Sequence, residues 1–152
     1  MKGLLYPWAL LLALCVHVGL AFDLGLSPDE AHYALYAAHL DWSYYDHPPL
    51  VGWLQWLPWR LGGADGLMRV VPTLSWLAGG LALKVLLEQL WPGESAIKIA
   101  ALWLWLLSPM VHLLGLAWVP DTPLMPLTCL VMALTWRLGL FMSGKRPLHS
   151  EG

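Results

Sequence analysis

Charge is what this chain has least of. Only 12% of its 152 residues are Asp, Glu, Lys or Arg, against about 25% in ordinary soluble domains, while 59% are hydrophobic. A chain so poor in charge, with a mean hydropathy of +0.61, does not clothe a water-facing surface. The composition predicts an all-α polytopic membrane protein. Basic residues are too few for nucleic acid as well: the net charge is −2, and neither a basic run nor an aromatic–basic repeat is present. Cysteine is scarce, and Cys15 and Cys129 both fall inside apolar runs. That excludes a disulfide framework or a thiolate zinc site and leaves both as small packing residues. Phenylalanine is scarce too, yet there are eleven tryptophans, the residue that gathers at membrane–water boundaries.

Residues 4–22, LLYPWALLLALCVHVGLAF, form the first apolar run, about the length that crosses a bilayer core. Gly19-Leu20-Ala21 could serve as a signal-peptide cleavage site, but the run exceeds the h-region of about 7–15 residues typical of such peptides. It is read as a span, with His17 satisfied by a neighbouring helix and given no role. Further spans are predicted at about 68–87, 96–118 and 124–142, the third kinked at Ser108-Pro109, with a polar cytoplasmic tail at 143–152. With the N-terminus cytoplasmic, Lys2, Lys84, Lys98, Arg137, Lys145 and Arg146 lie inside, and only Arg60 and Arg69 outside. The positive-inside rule therefore favours both termini in the cytoplasm.

The outer loop, 23–67, carries the exception to the shortage of charge. Asp23, Asp29, Glu30, Asp41 and Asp46 are half of the chain's ten carboxylates, and His32, His39 and His47 half of its six histidines. Charge concentrated beside apolar spans marks the place for chemistry. Ser27-Pro28-Asp29-Glu30 reads as a helix start, with Ser27 the N-cap, Pro28 at N1 and Glu30 at N3 of a capping box. That interfacial helix should run over about 28–40, with Asp29, His32, Tyr33, Tyr36 and His39 along one face. Ala31, Leu35 and Ala38 fall on the other, a pattern of a helix lying on the membrane surface. Glu30 is explained by capping and the helix dipole alone; Asp29 is not needed for either.

Asp41–Pro49 is a turn-rich aromatic segment ended by paired prolines, in which Asp46-His47 sets a carboxylate beside an imidazole. Such a pair suits a metal, a phosphate or a sugar. A second interfacial helix is predicted at about 50–61, with Trp53, Trp56 and Trp59 at headgroup level, followed by a glycine-rich loop over 62–66. Val119-Pro120-Asp121-Thr122-Pro123 interrupts the later spans and, in this topology, lies on the same outer face. Asp29, Asp46, Asp121, His47 and an aromatic shelf can then meet. A carboxylate there can act as general base, and a basic or metal-bound group can neutralise a departing phosphate. The rival reading is that the acids are merely solvated and the tryptophans merely anchors.

Two stretches add a resemblance. Pro28-Asp29-Glu30-Ala31-His32-Tyr33 followed by Leu40-Asp41-Trp42-Ser43-Tyr44-Tyr45-Asp46-His47-Pro48-Pro49-Leu50 resembles the first outer loop of bacterial membrane glycosyltransferases of the GT-C fold. These are the glycosyltransferase family 39 group, related to dolichyl-phosphate-mannose protein mannosyltransferases and to the aminoarabinose transferase of lipid A. Asp121-Thr122-Pro123-Leu124 resembles the second acidic motif of the same group. Over the rest of the chain the likeness rests on hydropathy and span order. The resemblance implies that Asp29 and Asp121 are catalytic carboxylates, that His47, Tyr33 and Tyr45 bind substrate, and that Asp46 approaches a divalent metal ion. It implies inverting transfer of a sugar from a polyprenyl-phosphate donor to a lipid, glycan or protein acceptor, on the outer face of a bacterial inner membrane.

Members of that group are much longer, with many more spans. The expectation is therefore an N-terminal fragment of the GT-C fold, residues 1–142, or one half of a split enzyme whose remainder is a separate chain. A chain of this length is not expected to be active alone, because water exclusion needs an enclosed cavity. Two other classes stay open: a non-catalytic four-span binding or assembly protein, and a transporter fragment, for which no inverted repeat is visible.

Overall fold

The computed structural model describes residues 2–63 and 65–144, with side chains from Leu5 to Gly63 and from Leu67 to Gly144. The expected tail from Lys145 onward lies outside the described residues. Eight helices and no strand are found among those described: α1 (Lys2–Asp23), α2 (Pro28–Ala38), α3 (Leu50–Arg60), α4 (Asp65–Met68), α5 (Val70–Leu90), α6 (Ser95–Leu107), α7 (Pro109–Leu116) and α8 (Leu124–Met142).

Three of these are long and apolar enough to cross a membrane: Leu5–Asp23, Val70–Leu90 and Leu124–Met142. Helices α6 and α7 meet at 57° and make a fourth crossing only if counted as one broken span. The break has a local cause. Pro109 has no N–H to continue the ladder of α6 and restricts the residue before it, and Ser108 restarts the chain as N-cap of α7, accepting from the Val111 N–H at 3.5 Å.

Helix α5 is the hub. It packs most extensively on α8 and also contacts α1, α3, α4, α6 and α7. Trp76 of α5, fully buried, sits at the centre. Close approach needs glycine at two points: a Cβ on Gly79 would lie 2.6 Å from the Trp105 ring, and one on Gly115 would lie 2.6 Å from His17 Cε1 and 2.8 Å from Trp76 Cβ. Along α8 only Ala133 is buried, and Leu124, Leu127, Leu130, Leu134 and Leu138 are exposed, as suits a helix facing lipid.

Residues 23–67 fold largely as their pattern predicts, with three differences. The first interfacial helix ends at Ala38, and the loop after α3 winds into the short α4, so α5 begins at Val70 rather than near 68. The third concerns which face of α2 is buried. That face is Glu30, Tyr33, Ala34 and Ala37, the stripe at i, i+3, i+4 and i+7, because α2 packs on α3. Ala31 and Leu35 are exposed, Ala38 is half-buried, and Tyr33 is inside rather than on an open polar face.

Candidate functional site

The polar end of the molecule is built on one buried ion pair. The predicted capping box forms: Ser27 Oγ accepts from the Glu30 N–H at 3.3 Å, and Glu30 Oε2 accepts from the Ser27 N–H at 2.9 Å. Glu30 goes further. Its Oε2 also takes the Arg69 guanidinium at 2.9 Å, and its Oε1 takes the Trp118 N–H at 3.0 Å. Arg69 donates as well to the carbonyls of Leu116, at 2.7 Å, and Gly25, at 2.8 Å. Both residues are at least 95% buried. A buried ion pair adds little net stability because desolvation offsets attraction. What it does here is hold four segments in register: the α1–α2 link, the start of α2, the start of α5 and the α7–α8 link.

Trp118 completes the junction. Its indole Nε1 donates to the Val51 carbonyl of α3 at 3.1 Å, and its ring packs with Tyr33 and Val51, flanked by Tyr36, Val71 and Val119. Beyond it Thr122, fully buried, closes a turn. Its hydroxyl donates to the Ala117 carbonyl at 3.0 Å and accepts from the Val119 N–H at 3.2 Å. The adjacent Asp121 is left exposed. The two polar interruptions of the chain thus meet. The Tyr33 phenol is pushed above its usual range by burial first, then by the charges of Asp29, Asp46 and Asp121.

Asp46 is held by the α2 face. The Tyr36 hydroxyl donates to Asp46 Oδ1, and His47 Nδ1 lies 3.0 Å from Oδ2. His32 Nε2 stands 2.7 Å from the Tyr36 hydroxyl and 3.6 Å from Asp46 Oδ2. Because the Tyr36 proton is used on Asp46, His32 carries its own on Nε2 and donates it to Tyr36. Burial, and after it the bond to Asp46, pushes Tyr36 up to about 12. Asp46 in turn lies below the usual carboxylate range, chiefly through the Tyr36 bond, with help from His47 and against the effect of burial. Tyr44 stacks on Tyr36 at 3.8 Å between ring centres and donates to the Tyr36 carbonyl at 2.9 Å. Gly52 makes room for it, since a Cβ there would lie 2.6 Å from the Tyr44 oxygen.

Of the residues singled out in the sequence, Asp46, His47 and Tyr33 are neighbours, His47 Nδ1 lying 3.0 Å from Asp46 and its ring edge-on to Tyr33 at 5.2 Å, while Asp29 and Asp121 stand exposed at the same end of the bundle. Tyr45 does not join them: its side chain is fully exposed at the loop tip, as is most of Trp42. Among the described residues no group of three or more His, Cys, Asp and Glu side chains is arranged to hold a metal ion, and Asp46 is already engaged by Tyr36 and His47. Sequence reasoning missed Arg69, taken only as a loop charge, and Trp118, taken only as the end of a span. The signal for Arg69 was its position directly before an apolar helix, where an unpaired cation is costly.

Fold and site together define a helical protein with three helices long and apolar enough to cross a membrane and an acidic, aromatic ledge at one end of the bundle. Comparisons with family models, curated proteins and solved structures yield no match.

Proposed function

We propose that this ledge is the carboxylate side of a membrane glycosyltransferase site, on the outer face of a bacterial inner membrane. The observation that supports the reading is the packing of the link carrying Trp118 and Asp121 against α2 and α3, through the Glu30 and Val51 bonds of Trp118, which sets Asp121 at the end of the bundle that carries Asp29 and Asp46. In the proposed reaction an acceptor hydroxyl or amine attacks the anomeric carbon of a polyprenyl-phosphate-linked sugar. The new bond forms on the face opposite the leaving group, the bond to the phosphate oxygen breaks, and polyprenyl phosphate departs with the electron pair. Asp29, exposed and unburdened by other bonds of the ledge, takes the acceptor proton as general base. Asp121 faces the developing positive charge at the sugar. His47, beside Asp46 and the edge of Tyr33, suits the departing phosphate.

The test is transfer of sugar from a polyprenyl-phosphate donor by membranes containing the full chain, with any additional chain the activity needs. Asp29→Asn should abolish transfer while leaving folding unchanged. Transfer that survives the substitution would remove Asp29 from the mechanism.

A second reading, a non-catalytic membrane binding or assembly module, has one observation in its favour. Asp29 and Asp121 stand open to solvent, and the groove of about 530 Å³ between α5 and α8 is lined by Leu86, Val131, Trp136 and Leu140, away from the ledge. In that case Asp29→Asn leaves partner capture intact.

A further inference from the structure

A second polar cluster lies inside the bundle, separate from the ledge. His17 of α1, 1% exposed, sits six residues before the end of α1, so about 9 Å below the outer end of that helix. Its Nε2 is 2.8 Å from Nδ1 of His112 in α7, and His112 Nε2 is 2.6 Å from the Leu106 carbonyl. That carbonyl is free because the helix breaks at Ser108-Pro109. Trp76 covers both rings, at 4.5 Å from His17 and 5.5 Å from His112.

These distances fix the protons. A carbonyl oxygen only accepts, so the short contact to Leu106 requires a hydrogen on His112 Nε2. A neutral His112 then has a bare Nδ1, which accepts from His17 Nε2–H. That leaves His17 Nδ1 as a lone pair, buried and without a hydrogen-bond partner. The Gly115 carbonyl is the acceptor at hand for a proton placed there, and Thr73 already donates to it weakly at 3.4 Å. A buried nitrogen with no partner, beside a carbonyl that can take one more donor, is a vacancy for one hydrogen ion.

We propose that His17 and His112 form an intramembrane proton-binding pair that takes up a single proton, on Nδ1 of His17. A second proton would have to enter on His112 Nδ1, which breaks the bond between the rings and sets two cations against each other. A metal ion does not fit the same contact: bonds of about 2.0–2.1 Å to each imidazole would hold the nitrogens roughly 3.3 Å or more apart. From α5 the pair meets Trp76, from α7 Gly115, and from α6 the Leu106 carbonyl, and among the described residues no Asp, Glu, Lys or Arg side chain is bonded to either ring. Arg69 and Glu30 are paired with each other, and Glu88 with Lys98.

Protonation would place a positive charge where α1, α5 and α7 meet, against the backbone of the broken span. Intramembrane ionisable residues that face the bundle interior commonly serve in proton handling.

The test is nitrogen NMR of histidine-labelled full-length protein in lipid nanodiscs, titrated from neutral to acid pH. Signals are assigned by their loss in His17→Gln and His112→Gln, or by contacts to Trp76 and Gly115 if a variant fails to fold. At neutral pH both rings should carry their proton on Nε2. On acidification His17 should gain one on Nδ1 in a single step. A neutral-pH proton on His17 Nδ1, simultaneous charging of both rings, or no uptake by either ring before unfolding would each overturn the proposal.

Discussion

Glu30 and Arg69 form an ion pair with almost no water on either side, so removing one partner leaves the other as an unpaired buried charge. Arg69→Met should lower unfolding free energy by about 3–5 kcal/mol, read as a fall in the thermal midpoint of the detergent-solubilised protein. Adding Glu30→Gln to that variant should restore much of the loss, since the stranded charge is then gone. Half of this arrangement was legible. Ser27 and Glu30 are three residues apart and their capping box is a local pattern, whereas Arg69 lies thirty-nine residues from Glu30 and no local rule links them. The Tyr36–Asp46 bond carries a second prediction. Tyr36 titrates up to about 12 in the folded protein and near 10 unfolded. Its contribution to stability is thus complete below pH 10 and is lost as pH rises through 12. Asp46, held low, has the opposite sense: its contribution is present above the ordinary carboxylate value and fades as pH falls through its depressed one. Tyr33 is raised as well, so tyrosinate absorbance should show more than one late-titrating phenol, of which the one near 12 disappears in Tyr36→Phe. In Asp46→Asn it should move only part of the way back towards 10, because burial is the larger cause.

Helix contacts are decided by where side chains are missing. Gly115 faces His17 and Trp76 at distances that a methyl group cannot share, so Gly115→Ala must push α7 away from α1 and α5. The expected cost is about 1–3 kcal/mol, the range for overpacking a closed interior. Gly139 in α8 meets nothing within 4 Å, and Gly139→Ala should be neutral or stabilising by up to about 1 kcal/mol from helix propensity. Equal effects of the two substitutions would contradict the packing of α7 described above. Helix existence was readable from apolar runs, and the break at Ser108-Pro109 from its proline. The buried face of α2 was not. Polar residues at helical spacing read as a solvent-facing stripe, and nothing local says that α3 and Trp118 cover Tyr33 while Leu35 is left out. In a membrane protein an exposed leucine costs nothing, so the ordinary inside–outside rule loses its power to orient a helix.

The whole molecule is polarised along α5. At one end are Arg69, Glu30 and the ledge; at the other, Glu88 and Lys98 form a 2.6 Å ion pair. The 21 residues of α5 separate them by about 30 Å, the thickness of a bilayer hydrocarbon core. Helix α8 runs from Leu124, beside the ledge, to Met142, so Ser143 belongs to the end opposite Ser43. This geometry makes the proposed orientation testable without any substrate. In a Cys15→Ser, Cys129→Ser background, a membrane-impermeant maleimide added outside intact cells should label Ser43→Cys. It should reach Ser143→Cys only after the membrane is opened. The reverse pattern would put the ledge in the cytoplasm and remove the outer-face glycosyltransferase reading, because Asp29 and Asp121 would then meet the wrong side. Labelling of both from outside would mean that α8 does not cross. The expected pattern would leave Asp29, Asp121 and His47 facing the compartment where a flipped polyprenyl-phosphate sugar presents its headgroup, and the activity test on Asp29 would then decide between enzyme and binding module.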